Sequence, residues 1–297
     1  MSTAAQGGAR RHAVVGSPIE HSLTPLLQGA AARALGLDWA CERRLVARGE
    51  LAGFLDALDR SWLGLSVTAP LKEEARAIAR EVDARAALTG AVNTLLLDAT
   101  RGPRGWNTDV GGIVRAFAES GLAAAETGAI VGAGATAQSA LLALHELGAR
   151  RVRVALRSET KGRRIADLGD RIGVEVQLQG LDEPLPAVDA AVSTLPAGAD
   201  VVPVFAHPPA RLLDADYARP AGSRFVDQPA EQRIDGREML LEQAVLQARI
   251  FALGAIDAAL PDELGVVAAM RASLELAPRA DASGAVVRSA SAGLEES

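Results

Sequence analysis

The chain has 297 residues, of which 49% are hydrophobic and 23% are charged, and its formal net charge is −6. This length predicts about two domains, and the composition excludes a disordered chain because it supplies enough apolar surface for a sizeable core. The negative charge argues against electrostatic binding to nucleic acid or to an anionic membrane.

Cys41 is the single cysteine, which excludes an intrachain disulfide and a thiolate metal cluster and favours a reducing compartment. No uninterrupted apolar span reaches membrane length, and the polar residues 1–11 lack the apolar core of a signal peptide. We therefore expect a cytoplasmic protein.

The first third of the sequence alternates between strand and helix patterns. In chain order these are strand 12–16, helix 25–35, a strand that ends at 45–46, helix 50–58, strand 63–67, helix 71–80 and strand 94–97. Thr24 is placed to cap the first helix, and Pro25 suits its first position. The alternation predicts a parallel α/β sheet.

A second alternation follows, and it is typical of a nucleotide-binding unit. Its elements are helix 109–119, strand 128–132, helix 136–147, strand 151–156, helix 160–168 and strands 174–178, 189–195 and 211–215. Helices 236–251 and 261–274 come next. From residue 280 onward Ser, Gly and Ala dominate, which predicts a frayed tail.

A glycine turn joins the predicted strand 128–132 to the next helix. Its sequence is Gly132-Ala133-Gly134-Ala135-Thr136-Ala137. Such a turn lets the backbone approach a pyrophosphate, and the helix start offers free N–H groups and a positive dipole end. Ala replaces the third glycine of the full motif, a tolerated variant. An ordinary strand-to-helix loop has the same pattern, so the turn alone is weak support for a dinucleotide site.

The end of the predicted strand 151–156 indicates which dinucleotide would bind. NAD-binding units carry an acidic residue there, which accepts hydrogen bonds from the ribose hydroxyls. Here Arg157 and Ser158 follow the strand, with Lys161 and Arg163 nearby. These cations would attract a 2′-phosphate, so NADP is favoured over NAD, although a solvated basic helix start gives the same pattern.

Polar residues follow the strands of the first section. Ser22 and Thr24 place two hydroxyls at a helix N-terminus, a suitable site for a carboxylate. Each polar residue also has an ordinary interpretation as a cap, a solvated charge or a turn former. Together, however, they lie at the strand edge where ligands bind in open α/β sheets. The further members of this group are Thr68, Lys72, Asn93 and Asp109.

The order of these motifs resembles the shikimate dehydrogenase family. The matching segments are Gly16 to Pro25, Ser66 to Lys72, Gly90 to Thr94, Asn107 to Gly112, the glycine turn, Asp214 to Tyr217 and Gly236 to Ala244. Several ordered motifs, spread over roughly 14–251, are far more specific than one glycine turn. The resemblance implies a two-domain α/β fold, with an N-terminal parallel α/β substrate domain at 1–108 and a Rossmann-type NADP-binding domain at 109–235. It further implies C-terminal helices at 236–278 that return to the first domain. The composition predicts a flexible tail at 279–297.

The resemblance also implies a reaction, the reversible NADPH-dependent reduction of 3-dehydroshikimate to shikimate in chorismate and aromatic amino acid biosynthesis. Lys72 and Asp109 would form the catalytic pair, and no metal would be needed. The substrate would contact Ser22, Thr24, Thr68, Lys72, Asn93, Asp109, Tyr217 and Gln243. The cofactor would contact Gly132, Gly134, Ala135, Thr136, Arg157, Ser158, Lys161 and Gly236.

Three residues depart from the family's pattern, and the segment Tyr217-Ala218-Arg219-Pro220 is a loosened version of the family's Tyr-x-Pro. Ser66 stands where much of the family has Asn, which leaves the geometry of one hydrogen bond open. Leu156 stands where many members have Asn before the Arg, and Glu238 replaces a common glycine near the nicotinamide side. None of them removes the Lys–Asp pair.

Other functions remain compatible with these motifs. One is a quinate/shikimate or aminoshikimate-type dehydrogenase that uses NAD or NADP, and another is a non-catalytic ligand sensor, which has less need of Lys72 and Asp109. A methylene-tetrahydrofolate-type dehydrogenase shares the two-domain plan, but the Ser22/Thr24 hydroxyls fit it poorly. The sequence leaves both a monomer and a homodimer open.

Overall fold

The computed structural model describes residues 10–219 and 223–277. Its first sheet contains β1 (Arg10–Gly16), β2 (Trp39–Leu45), β3 (Trp62–Val67), β4 (Glu81–Val82), β5 (Thr94–Asp98) and β6 (Gly102–Trp106). The strand order in this sheet is β2-β1-β3-β5-β6-β4. The helices that accompany it are α1 (Thr24–Ala34), α2 (Leu51–Asp56), α3 (Lys72–Ile78) and α4 (Ala84–Thr89).

The second sheet also has six strands. They are β7 (Thr127–Val131), β8 (Arg151–Leu156), β9 (Glu175–Gly180), β10 (Ala190–Ser193), β11 (Arg211–Asp214) and β12 (Arg233–Asp235), in the order β12-β11-β10-β7-β8-β9. Helix α5 (Thr108–Glu119) leads into this sheet, and α6 (Ala135–Glu146) and α7 (Glu159–Ile172) connect its strands. Helices α8 (Gly236–Leu253) and α9 (Glu263–Ser273) follow it.

One strand of the first sheet does not run parallel to its neighbours. Strand β5 pairs antiparallel with β3 and with β6, whereas β2, β1 and β3 run parallel, as do β4 and β6. Only residues 99–101 separate β5 from β6, and so short a link forms a hairpin because a parallel crossover needs a dozen or more residues. The predicted parallel arrangement is therefore corrected at β5.

All pairs in the second sheet are parallel, as the strand and helix alternation predicts. The central strand β7 has fully buried residues on both faces. Ile130 belongs to one apolar cluster with the inner faces of α5 and α6, while Ala129 and Val131 belong to a second cluster on the opposite face. This burial on both faces is typical of a doubly wound nucleotide-binding sheet.

Helices α8 and α9 lie against α1, the first helix of the N-terminal layer. Leu27 of α1, Val245 of α8 and Met270 of α9 share one buried apolar cluster. Helix α8 also packs closely on α5, where a Cβ added to Gly112 would lie 2.8 Å from the Cβ of Gln243. Gly112 is thus required for the close approach that brings Gln243 towards the start of α5.

Two sequence-based expectations differ from the structure. Thr24 does not cap α1, because the helix begins one residue earlier, with Leu23 at the capping position and no side-chain cap. The short elements β4, α4, β6 and β12 were not expected. The tail predicted at 279–297 lies outside the described residues, and among those described no helix is long and apolar enough to span a bilayer.

Candidate active site

A cavity of about 420 Å³ lies at the carboxyl ends of the central strands of both sheets. The segments that follow β1 and β3 form one wall, and those that follow β10 and β11 form the opposite wall. All eight residues predicted to bind a substrate line this cavity, namely Ser22, Thr24, Thr68, Lys72, Asn93, Asp109, Tyr217 and Gln243. Ligands of open α/β sheets bind at this edge, so the cavity is the candidate active site.

Lys72 and Asp109 form an ion pair inside the cavity. Lys72 is the first residue of α3 and Asp109 lies in the first turn of α5, and Nζ is 2.5 Å from Oδ2. Their side chains are only 12% and 7% exposed. The Asp109 carboxylate also benefits from the positive end of the α5 dipole. An ammonium group held in this way retains two protons that it can present to a ligand.

Asn93 fixes the position of the Asp109 carboxylate. Its Nδ2 donates to Asp109 Oδ1 at 2.7 Å and to Thr108 Oγ1 at 2.8 Å, and its Oδ1 accepts from the Thr108 backbone N–H at 2.8 Å. Gln243 Oε1 accepts from Thr108 Oγ1 at 3.2 Å, while its Nε2 donates to the Leu240 carbonyl at 2.9 Å. These buried bonds restrict the carboxylate to one orientation.

Ser22 and Thr24 lie at the start of α1, at another part of the cavity. Both are nearly buried, and Ser22 Oγ accepts from the Thr24 backbone N–H at 3.4 Å. Because the Thr24 hydroxyl does not cap the helix, it is not committed to the backbone of the first turn. Two hydroxyl donors at a helix N-terminus suit a carboxylate.

Tyr217 contributes its phenol ring to the cavity wall. Burial raises the pKa of its phenol, with smaller contributions from the charges of Asp216 and Asp109. The hydroxyl therefore stays protonated at neutral pH and can serve as a donor. Tyr217 also packs against the apolar cluster between α1, α8 and α9.

Two of the predicted cofactor residues line the cavity, Thr136 of α6 and Gly236 at the start of α8. Gly132, with φ of +106°, forms the tight turn after β7, and Gly134 stands at the capping position of α6. A Cβ added to Gly134 would meet no described atom within 4 Å, so the turn is open on that side. Ala135 is the first residue of α6. This open turn at a helix start fits a pyrophosphate.

The remaining predicted cofactor residues lie outside the cavity lining, after the end of β8. Arg157 and Lys161 are exposed, and Ser158 caps α7 by accepting from the Lys161 backbone N–H at 3.5 Å. Exposed cations beside a helix N-terminus fit a phosphate group. These residues and the glycine turn are therefore chemically suited to the two phosphate-bearing parts of NADP.

Several cavity residues were not in the predicted site. Ser66 and Gln247 are hydrogen-bonded to each other at its base, and the segment Thr194 to Ala197 forms the wall that follows β10. Gln247 lies four residues after Gln243, on the same face of α8, which is the signal that identifies it. The segment after β10 carries no comparable signal in the sequence.

Fully buried Arg224 holds this wall in place. It donates to the carbonyls of Leu195 at 3.3 Å and Pro196 at 3.1 Å, and its Nη2 is 3.0 Å from Asp216 Oδ2. Its side chain is 0% exposed, and the Asp216 side chain is 6% exposed. One guanidinium thus joins the segment after β10 to the segment that carries Tyr217.

Glu238 and Leu156, two departures from the family's pattern, both have structural partners. Glu238 binds Arg271 of α9 at 2.6 Å and 2.9 Å and is not part of the cavity lining, so its carboxylate ties α8 to α9. Leu156 is buried in the apolar core beneath α6 and α7. Neither side chain changes the polarity of the cavity.

Comparisons with known proteins identify the family of the chain. The family model for the shikimate dehydrogenase substrate binding domain matches residues 14–95. A shikimate dehydrogenase (NADP(+)) of Natronomonas pharaonis is 34% identical over 247 residues, which cover 79% of this chain and 90% of the relative. The shikimate dehydrogenase (NADP(+)) of Caulobacter vibrioides is 32% identical over 262 residues, which cover 82% and 90%.

Solved structures of this family have the same fold. The crystal structure of Mycobacterium tuberculosis shikimate dehydrogenase has 34% identity and a TM-score of 0.73, with 90% of this chain and 98% of that chain covered. Shikimate 5-dehydrogenase from Thermus thermophilus, solved in complex with NADP(H) and shikimate, has 28% identity and a TM-score of 0.71, with coverage of 89% and 99%. The predicted two-domain α/β fold class is confirmed. With relatives above 30% identity matched over most of their length, the chain belongs to the shikimate dehydrogenase family.

Proposed function

We propose that the chain is an NADP-dependent shikimate dehydrogenase, an oxidoreductase that interconverts 3-dehydroshikimate and shikimate. The observation that carries this proposal is the Lys72–Asp109 ion pair, 2.5 Å long, inside a cavity that Thr136 and Gly236 of the dinucleotide side also line. Relatives named shikimate dehydrogenase (NADP(+)) and a related structure with NADP(H) and shikimate support the choice of substrate and cofactor.

The protein's contribution to the reaction is to polarise and protonate a ketone. When bound, NADPH supplies the hydride. Negative charge develops on the carbonyl oxygen as the C–H bond forms, and the Lys72 ammonium stabilises that charge and donates the proton that completes the alcohol. Asp109 holds Lys72 in place. In the reverse direction Lys72 accepts the proton from the alcohol.

The substrate's two kinds of polar group would bind at different parts of the cavity. The hydroxyls of Ser22 and Thr24, with the start of α1, would hold the carboxylate. Tyr217 would line the pocket near it. Thr68, Gln243 and the Asn93–Asp109 group would hold the ring hydroxyls.

The cofactor would extend from the cavity across the second sheet. Its nicotinamide would lie near Gly236 and its pyrophosphate at Gly132, Gly134, Ala135 and Thr136. The adenosine phosphate would bind Arg157, Ser158 and Lys161. Of these, Arg157 precedes α7 and Lys161 lies in its first turn, and both cations are exposed. A positive group at the end of β8 favours NADP over NAD because the 2′-phosphate carries the additional charge.

We also propose the domain division that matches this separation of tasks. Residues 1–108 would form the substrate domain and 109–235 the NADP-binding domain, since each segment supplies one sheet. Residues 236–278 would return to the substrate domain, where α8 and α9 share an apolar cluster with α1.

Initial rates with each substrate and each cofactor test the proposal. Reduction of NADP+, followed by absorbance, should be fast with shikimate and slower with quinate, and NAD+ should be the poorer acceptor. Faster oxidation of quinate, or preference for NAD+, would identify a quinate/shikimate type of paralogue instead. Binding of shikimate without any turnover would indicate a ligand sensor.

A further inference from the structure

Ser66 and Gln247 form a buried hydrogen-bonded pair at the base of the cavity. Ser66 is on β3 and is 3% exposed, and Gln247 is on α8 and is 1% exposed. Both residues line the cavity, and Ser66 Oγ is 2.9 Å from Gln247 Oε1. Neither residue belongs to the group of side chains assigned above to the substrate.

Neighbouring backbone groups fix the direction of every hydrogen bond in this pair. Gln247 Nε2 is 3.1 Å from the Asn93 backbone carbonyl and 3.0 Å from Thr94 Oγ1. A carbonyl oxygen can only accept, so the NH2 of Gln247 must face Asn93, and its Oε1 must face Ser66. The Gln247 amide therefore has one allowed orientation.

A second backbone group gives the same result independently. The Thr108 backbone N–H donates to Asn93 Oδ1 at 2.8 Å, so Oδ1 is identified as the acceptor of that side chain. Thr94 Oγ1 is 3.0 Å from the same Oδ1 and must donate its only proton to it. Thr94 is left to accept from Gln247, which again directs the Gln247 oxygen towards Ser66.

Ser66 has a single hydroxyl proton, and this arrangement commits it to Gln247. We propose that Ser66 is a specificity residue whose hydroxyl can only accept a hydrogen bond from the substrate. It therefore selects a substrate that has a hydrogen-bond donor at this position, such as a ring hydroxyl. A substrate with a carbonyl or carboxylate oxygen at this position is rejected. Gln247 is the positioning residue that enforces the polarity. The proposal rests on the proposed function, since it names a feature of the substrate bound at the same site.

Hydrogen-bond donors and acceptors then lie at different parts of the cavity. The start of α1 offers the hydroxyl donors of Ser22 and Thr24, and Lys72 offers its free N–H groups. Ser66 offers lone pairs alone. A molecule with a carboxylate at one end and hydroxyls at the other satisfies both parts in one orientation, and in the reverse orientation its carboxylate would meet the lone pairs of Ser66.

Analogues of shikimate that differ only at the 4- or the 5-position test the proposal. In the deoxy analogues that hydroxyl is replaced by hydrogen, and in the oxo analogues it is oxidised to a ketone. The wild-type enzyme should favour shikimate over one of the deoxy analogues by about 10-fold in kcat/KM. In Ser66→Ala this preference should fall to about 2-fold or less, while the preference over the other deoxy analogue and the KM for NADP+ stay unchanged. An equal loss with shikimate and both deoxy analogues would overturn the proposal.

Gln247→Met tests the polarity itself, because it removes the acceptor and lets the Ser66 hydroxyl turn its proton towards the cavity. The oxo analogue meant here has its ketone at the ring position where loss of the hydroxyl is sensed by Ser66. It should be a poor competitive inhibitor of the wild type and should inhibit Gln247→Met about 10-fold more strongly. Unchanged inhibition would overturn the assignment of polarity, and if this variant does not fold, the Ser66→Ala comparison alone decides. A wild-type enzyme that does not oxidise shikimate with NADP+ would instead reject the proposed function.

Discussion

Lys72 Nζ lies 2.5 Å from Asp109 Oδ2, although 37 positions separate the two residues in the chain. Lys72 begins the helix that follows β3, and Asp109 lies in the first turn of the helix that leads from the first sheet into the second. The ion pair therefore lies at the junction of the substrate side and the dinucleotide side. A ketone bound beside it would be within reach of groups from both.

Replacement of Lys72 by Ala should reduce turnover by about 100-fold or more, the usual loss when a general acid is removed. The KM for NADP+ should stay nearly unchanged, because Lys72 lies in the part of the cavity formed by the first sheet. Steady-state kinetics with shikimate and NADP+ measure both quantities.

Lys161→Ala is the matched control for Lys72→Ala. Lys161 is exposed in the first turn of α7 and lies outside the cavity lining. Its loss should raise the KM for NADP+ and leave kcat within about 2-fold of the wild type. Turnover close to the wild-type rate in Lys72→Ala would contradict the role of this residue.

Arg157→Ala should weaken the binding of NADP+ about 10- to 100-fold, the range expected for loss of a hydrogen bond to a charged group. The binding of NAD+ should change little. The control is Arg151→Ala, which removes the same charge at the opposite end of β8, about 20 Å away along the strand. The KM for each dinucleotide is the measurement. If the KM values for NADP+ and NAD+ rise equally in Arg157→Ala, the residue does not distinguish the two dinucleotides by the 2′-phosphate.

The regular elements of the fold could be predicted because their periodicity extends over enough residues. The pattern predicts β8 at Arg151–Leu156, as observed, since its alternating basic and apolar residues match a strand with one exposed face. Strand β6 could not be predicted, because Gly102 and Pro103 are poor strand formers and the strand exists only through its hairpin with β5. The same applies to β4, which has two residues.

Residues of the candidate site could be predicted where they follow strands within family motifs. Residues whose hydrogen-bond partners are distant in the sequence were harder to predict. Lys72, Asp109 and Asn93 all line the cavity. The hydrogen bond between Ser66 and Gln247 joins residues 181 positions apart, and no local pattern indicates it. Arg224 has no sequence signal either, because its role depends on which carbonyls the fold brings around it.

Arg224→Met should destabilise the protein by about 3–5 kcal/mol, the cost of leaving the buried Asp216 carboxylate without its counter-ion. Asp216 would lose a partner 3.0 Å away, and the carbonyls of Leu195 and Pro196 would lose their donor. Urea unfolding gives the free energy. Arg44→Met is the control, since its ion pair with Glu42 is well exposed and should contribute about 1 kcal/mol or less. Equal losses in the two variants would exclude a special role for the buried guanidinium.

Burial of His12 should make the free energy of unfolding depend on pH. Its imidazole is fully buried against Phe251, with ring centroids 5.0 Å apart, and neither ring nitrogen has a hydrogen-bond partner among the described residues. Burial lowers the pKa of His12 to about 4, from its ordinary value of 6.5. The folded protein therefore stays neutral at this site while the unfolded chain takes up a proton.

Because the unfolded state binds the proton first, the free energy of unfolding should fall as the pH decreases from 6.5 to 4, by about 3 kcal/mol. His12→Phe keeps an aromatic ring beside Phe251 and removes the titration, so the difference in stability between variant and wild type should change by that amount across this range. The carboxylates titrate in both proteins and cancel in the difference. Urea unfolding at several pH values measures it, and a difference that stays constant between pH 6.5 and 4 would show that His12 does not titrate differently in the two states.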